Sequence, residues 1–277
     1  MRKCALWMVI IAIVVFAGFS CKSKPTVKHD NLSLEPCTLT TKTYLNDDTT
    51  GLSLDISLSI SLPSAYPDET ILNKVRQTVL LDFFPEADSV YANPSDALNA
   101  YVKDYKKFFL ESESGYADPD EEAVFESSPW YNYEKMLIRY NDNYIFSYTI
   151  FSDRYTGGAH GGKNYLNTII DLNTGEKITE DDLFSEEAKP LIIKMIIRKI
   201  LDKHQLKTVE ELEEIGFFDI SEIAIDKNFY LTDDGLTFTY NEYEIAGYAV
   251  GTTEVTLDFT SLSGFMKSGN PLEAFMP

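Results

Sequence analysis

Leu52, Leu54, Ile56, Leu58, Ile60 and Leu62 alternate without a break with Ser53, Asp55, Ser57, Ser59 and Ser61. Successive side chains of an extended chain point to opposite faces, so this run specifies a β-strand with one buried face and one solvated face. Pro67-Asp68 then opens a helix in which Ile71, Leu72, Val75, Val79 and Phe83 recur at spacings of three or four residues. After Pro94, with Ser95 as the expected cap, Leu98, Tyr101, Val102, Tyr105, Phe108 and Phe109 mark the stripe of a second helix. A strand followed by two helices, with more strands beyond, predicts an α+β lobe over residues 41–128.

Glu111, Glu113, Asp118, Asp120, Glu121, Glu122 and Glu126 form an acidic run without the spacing of an EF-hand. It reads as a solvated linker, and the boundary between two lobes is expected there. From Trp130 the pattern turns to β. Met136–Tyr140 and Tyr144–Phe151 flank Asn141-Asp142-Asn143, and Asn164–Asp171 and Lys177-Ile178 flank Asn173-Thr174-Gly175, two hairpin signals. A helical insert follows, with Ser185 at its start, Pro190 near its first turn and a dense apolar run from Leu191 to Leu201. Thr208 and Glu211 match a capping box for a short helix. Strands return at Phe229–Thr232, Leu236–Tyr240 and around Val255, Leu257 and Phe259. The fold class is therefore α+β in two lobes: an N-terminal strand–helix–helix unit, and a C-terminal antiparallel sheet with a helical insert over residues 129–262, before a tail at 263–277.

The first twenty residues carry a different message. Met1-Arg2-Lys3 is basic, Ala5–Phe19 is almost wholly apolar, and Gly18-Phe19-Ser20 precedes Cys21. That is the layout of a secretory signal over residues 1–20, with Cys21 as the residue that takes a lipid in a bacterial lipoprotein. Residues 21–40 read as a polar tether carrying Lys22, Lys24 and Lys28. The expected location is the bacterial cell envelope, periplasmic or surface-exposed, anchored in the bilayer through acylated Cys21. The formal charge is −20, and about −22 once Arg2 and Lys3 leave, which disfavours nucleic acid and favours cationic partners at low salt. Of the three cysteines, Cys4 leaves with the signal and Cys21 is lipidated, so Cys37 has no disulfide partner.

Two runs stand out from this scaffold. Tyr155-Thr156-Gly157-Gly158-Ala159-His160-Gly161-Gly162 puts four glycines in eight residues between two strands. It reads either as a ligand loop, with Tyr155, Thr156, Gly157, Gly158 and His160 as contacts, or as a sharp crossover whose His160 hydrogen-bonds to backbone. The second run, Tyr240–Gly251, sets Tyr243 and Tyr248 among small residues, as a ligand-contact face or as a cover for the sheet edge. Catalytic groups are hard to assemble: His29 lies in the tether and His204 follows the apolar helix. There is no H-E-x-x-H, G-x-S-x-G, P-loop or dinucleotide fingerprint. A metal site would need His160 with carboxylates such as Asp153 or Asp171. No cofactor is expected.

Tyr155-Thr156-Gly157-Gly158-Ala159-His160-Gly161, followed by Tyr243-Glu244-Ile245-Ala246, Tyr248-Ala249, Gly251 and Glu254-Val255, resembles the extracytoplasmic domain shared by RsiV-type anti-sigma factors and PdaC-type peptidoglycan deacetylases. Asp181-Asp182-Leu183-Phe184 also fits that domain. The resemblance implies an α+β first half leading into the β-rich second half. In the anti-sigma members the domain binds lysozyme; in the deacetylases it accompanies a separate catalytic domain. No sigma-binding or deacetylase part is read in this sequence, so neither activity is carried over. The expected role is binding of a cell-wall glycan, peptidoglycan or a lysozyme-like protein, more in keeping with a non-enzyme. The alternative is a small envelope hydrolase or metal-dependent enzyme centred on His160.

Overall fold

A computed structural model describes residues 30–85, 94–114, 128–218, 220, 223–225 and 227–277. The expected signal, Cys21, and the start of the tether lie outside these residues. The alternating run forms β2 (Ser53–Ala65), paired antiparallel along its length with β1 (Ser33–Tyr44). Leu54, Ile56, Leu58, Ile60 and Leu62 are buried, while Asp55, Ser57, Ser59 and Ser61 are half-buried.

β1 corrects the tether, which ends by Asn31–Leu32 rather than at residue 40. Thr38, Thr40, Thr41 and Thr43 favour extended backbone, and an edge strand tolerates both Pro36 and polar side chains. Cys37 sits in this strand opposite Ile60, half-buried and free, and its burial, with Glu35 nearby, raises its thiol pKa.

α1 (Glu69–Phe83) begins at Asp68, whose Oδ1 accepts from the Thr70 and Ile71 N–H groups, an ordinary N-cap. α2 (Pro94–Ser114) starts at Pro94 itself, so Ser95, the expected cap, lies inside its first turn. It also takes in Glu111 and Glu113, the first of the acidic run; the remainder of that run lies outside the described residues. Both helices form the crossover to β3 (Trp130–Asp142), which pairs parallel with β2 from Leu54–Trp130 to Ser59–Lys135. β3, β4 (Ile145–Tyr155), β5 (Gly162–Asp171) and the two-residue β6 (Glu176–Lys177) continue antiparallel, giving one six-stranded sheet in chain order. The tight turn between β3 and β4 falls at Asn143-Tyr144, both at positive φ, two residues beyond the start of the expected Asn141–Asn143 turn.

Two hydrophobic cores flank this sheet. One holds the buried face of β2, Leu72, Val75, Val79 and Phe83 of α1, Leu98, Val102 and Phe109 of α2, and Phe146, Tyr148 and Ile150 of β4. The other lies under α4 (Lys189–His204) and a three-stranded antiparallel sheet of β7 (Phe229–Leu231), β8 (Gly235–Tyr240) and β9 (Thr253–Asp258). Two short helices, α3 (Glu180–Leu183) and α5 (Val209–Glu214), flank α4, and α6 (Phe259–Leu262) ends the second sheet. Thr208 and Glu211 make the reciprocal capping box of α5, while α4 begins at Lys189 rather than at Ser185, with Pro190 in its first turn. The division at 128/129 is not where the cores part. Trp130, Met136, Phe146, Tyr148 and Ile170 belong to the first core because β3–β5 extend the sheet begun by β2. None of the described helices is long and apolar enough to cross a membrane.

A buried polar seam joins the two sheets. Beyond β6 the outer edge of β5 is met by side chains rather than by a strand. Asn241 Oδ1 accepts from Tyr165 N–H at 2.8 Å and its Nδ2 donates to Tyr165 O at 3.1 Å. Asn228 Oδ1 accepts from Asn167 N–H at 2.8 Å, and its Nδ2 donates to Tyr165 O at 2.7 Å and Thr239 O at 3.2 Å. Behind them Asn167 Nδ2 donates to Thr239 Oγ1 at 2.8 Å, and Asn167 Oδ1 accepts from Thr149 Oγ1 at 2.6 Å. Ser147 Oγ accepts from Leu231 N–H at 3.1 Å. Asn167→Ala removes the bridge and leaves Thr149 and Thr239 buried without this partner, so a loss of about 2–3 kcal/mol in stability is expected. Urea denaturation measures it; a change within about 0.5 kcal/mol would show that the seam contributes little.

Candidate functional site

The glycine-rich run is the six-residue loop of the β4–β5 hairpin. Gly157 and Gly158 adopt φ of 96° and 89°, a region that disfavours residues with a Cβ. Tyr155 Oη donates to Gly158 O at 2.9 Å and closes the loop from below. Gly161 is needed for another reason. A Cβ there would stand 2.6 Å from Tyr131 Oη and 2.8 Å from Arg154 O, so the backbone passes too close for any side chain.

His160 leaves this loop and meets the tyrosine run. Its ring stacks on Tyr248 with centroids 3.9 Å apart and planes 20° from parallel, and Tyr243 lies 6.5 Å away in a similar orientation. Gly161 O is 2.7 Å from Nδ1, which assigns the proton to Nδ1 in the neutral ring and makes Nε2 the acceptor for Tyr243 Oη at 3.3 Å. Tyr243 and Tyr248 remain 56% and 42% exposed despite these contacts. The loop carrying them is fixed by the seam: Asn241, which binds the edge of β5, donates its own N–H to Glu244 Oε2 at 2.6 Å. Tyr243 N–H donates to Ala246 O at 3.0 Å with Tyr243 at φ 67°, a strained conformation for an aromatic residue.

Beside this cluster, the outward face of β3 and β4 carries Tyr131, Tyr133 and Tyr155. Tyr131 stacks on Tyr133 at 5.0 Å and on Tyr155 at 6.0 Å. Partial burial, then the Asp153 carboxylate that the phenol hydrogen-bonds, raise the Tyr131 pKa, with Tyr248 close enough to contribute. Glu242 Oε2 accepts from Lys163 N–H at 3.2 Å at the rim. Thr156, Gly157 and Gly158 shape the loop, and His160, Tyr243 and Tyr248 form the contact surface; Tyr155 joins it through Tyr131. Tyr131 and Tyr133 were not singled out from the sequence, and Asp153 was named only as a metal co-ligand of His160, although the alternation in Trp130-Tyr131-Asn132-Tyr133 signals two tyrosines on one strand face.

The two imidazole nitrogens meet a carbonyl and a phenol. Asp171, a suggested co-ligand, sits at the far end of β5, about 30 Å from its start. Among the described residues no three His, Cys, Asp or Glu side chains gather as a metal-ligand set. His204 is half-buried, with its ring edge-on to Phe217 at 5.3 Å, rather than free in solvent.

On the opposite face of the same strands, Glu134 is buried beneath α2, where it accepts from Tyr101 Oη at 2.6 Å and pairs with Arg154. Burial and then the Glu134 charge push the Tyr101 phenol far above its ordinary range. This cluster anchors the strand that leads into the glycine loop. Gly161→Ala is expected to lower stability by about 1–3 kcal/mol, since Arg154 O cannot move without disturbing β4. Gly162→Ala, with open space around it, should stay within about 0.5 kcal/mol in the same thermal denaturation. Equal effects would contradict the close approach at Gly161.

The model of the deacetylase PdaC family matches residues 53–163, and that of DUF3298, a protein of unknown function, matches residues 181–260. The glycine loop thus lies in the first segment and Tyr243 and Tyr248 in the second. Among solved structures, a DUF3298-family protein from Bacteroides fragilis has the same fold with a TM-score of 0.78, at 24% identity over 89% of this chain and 98% of the other. A DUF3298-family protein from Pseudomonas aeruginosa has a TM-score of 0.58 at 16% identity, covering 88% of this chain and 97% of its own. No curated protein matches. The chain is thus similar to the PdaC/DUF3298 type: a PdaC-like segment is followed by a DUF3298-like segment, and the two form one continuous fold.

Proposed function

We propose that this protein is a lipid-anchored, extracytoplasmic binding protein of the bacterial envelope, held by acylated Cys21, whose ligand docks where the glycine loop meets the tyrosine run. The observation that carries this reading is the stack of His160 on Tyr248 with Tyr243 alongside, three rings from two distant loops left open to solvent. Exposed tyrosines on a rigid support offer large contact area at little entropic cost, and their hydroxyls add hydrogen bonds. Asp153 and Glu242 beside them suit a ligand rich in hydroxyl or cationic donors, which matches a cell-wall glycan or the basic surface of a lysozyme-like protein. The PdaC-like and RsiV-like resemblance points to the same two ligands. The binding reading is preferred to a hydrolase centred on His160, because a carbonyl and a phenol hold the ring where a general base would be expected to pair with a carboxylate.

Binding of the purified protein to lysozyme and to soluble peptidoglycan fragments, at low salt and near ~0.5 M, tests this. A strongly acidic protein and a basic lysozyme attract without specificity, so only binding that survives salt supports a shaped interface. His160→Ala and Tyr248→Ala are expected to weaken that binding tenfold or more, on the order of 1.4 kcal/mol, with thermal stability nearly unchanged. Equal loss of binding and stability would mean that these rings only hold the fold together.

A further inference from the structure

A pocket of about 280 Å³ lies on the other side of the seam, some 20 Å along β5 from the glycine loop. The outer edge of β5, the turn between β6 and α3, and the residues leading into β7 enclose it. Leu166, Ile169, Ile178 and Phe229 supply apolar wall. Its volume is just below the range typical of drug-sized ligands, which suits an amino acid or a dipeptide.

The polar groups around it divide into two kinds. Most are already engaged: Thr168 Oγ1 and Lys177 Nζ donate to Asp82 at 2.7 and 2.6 Å, Thr179 Oγ1 to Asp182 at 2.7 Å, and both ends of the Asn167 amide belong to the seam. Glu180 is different. Its side chain is 9% exposed, and its one cationic neighbour among the described residues is Lys227 Nζ at 3.9 Å, beyond hydrogen-bond reach. A carboxylate this little exposed, with one long contact to a cation, gains from a further donor, and the pocket is the side from which one can reach it. Lys227 is 84% exposed and free to swing across the mouth. A bare metal ion is poorly served here. Asp181, the other lining carboxylate, is paired with Lys189, and the Lys227 ammonium would repel a cation without its own anion.

We propose that this pocket binds the zwitterionic end of a free amino acid or short peptide, with the ligand ammonium on Glu180 and the ligand carboxylate toward Lys227. Each charge on the ligand meets the opposite charge on the protein, and the apolar wall takes the side chain. The site is separate from His160, so the two readings stand or fall independently.

Calorimetric titration of the full chain in detergent with alanyl-alanine tests the proposal, with N-acetyl-alanyl-alanine and alanyl-alanine amide as probes lacking the ammonium and the carboxylate. Saturable binding of alanyl-alanine is expected, abolished by N-acetylation and weakened by amidation. Glu180→Gln, nearly isosteric, is expected to lower the affinity tenfold or more, the loss that follows removal of one charge-assisted hydrogen bond. Lys227→Gln, at an exposed position that folding tolerates, should lower it by a smaller factor. Absence of saturable heat up to about 10 mM dipeptide, equal binding of the N-acetylated probe, or unchanged affinity in Glu180→Gln would each overturn the proposal. Should Glu180→Gln lose its cooperative unfolding transition, the N-acetylated probe and Lys227→Gln on the folded protein decide the matter alone.

Discussion

The outer edge of β5 governs how the two halves of this molecule meet. A strand edge presents N–H and C=O groups that must find partners once buried. Here two carboxamides stand in for a seventh strand: Asn241 and Asn228 each both accept from and donate to the β5 backbone. Because Asn228 precedes β7 and Asn241 follows β8, satisfying this edge also fixes the second sheet against the first. Hydrophobic burial on either side is large but non-directional, and only the amide geometry specifies a single registration.

The exposed ring cluster follows from that registration. His160 leaves the hairpin whose second strand is β5, and Tyr243 and Tyr248 leave the loop that begins at Asn241. Stacking at 3.9 Å requires the two loops to be held to within a fraction of an ångström. One lies in the PdaC-like segment and the other in the DUF3298 segment, so the surface is complete only when both are present. The six-stranded sheet likewise runs past the end of the PdaC-like match at residue 163, through β5 and β6. The family boundary is a boundary in sequence, while the structure is shared across it.

Much of the scaffold was legible because local and tertiary demands agree. The Leu52–Leu62 alternation, the stripes on α1 and α2, and the Thr208–Glu211 capping box each state their structure within a dozen residues. β1 was not legible, since an edge strand with Pro36 and four threonines has no apolar period and reads as tether. Neither was the seam: Asn228 and Asn241 stand at strand ends, where asparagine ordinarily signals a turn. The glycine and tyrosine runs were visible as two oddities, but nothing local joins His160 to Tyr243, 83 residues away. Tyr131 and Tyr133 were hidden by strand alternation that reads equally well as structural.

Proton NMR of the His160 imidazole reads directly whether the amide seam positions the ring cluster. Stacked on Tyr248, the ring protons of His160 should be displaced upfield by the tyrosine ring current. In Asn241→Ala, with the fold still cooperative, that displacement should collapse toward the value of an unstacked histidine. An unchanged displacement would mean that the loops find each other without the seam.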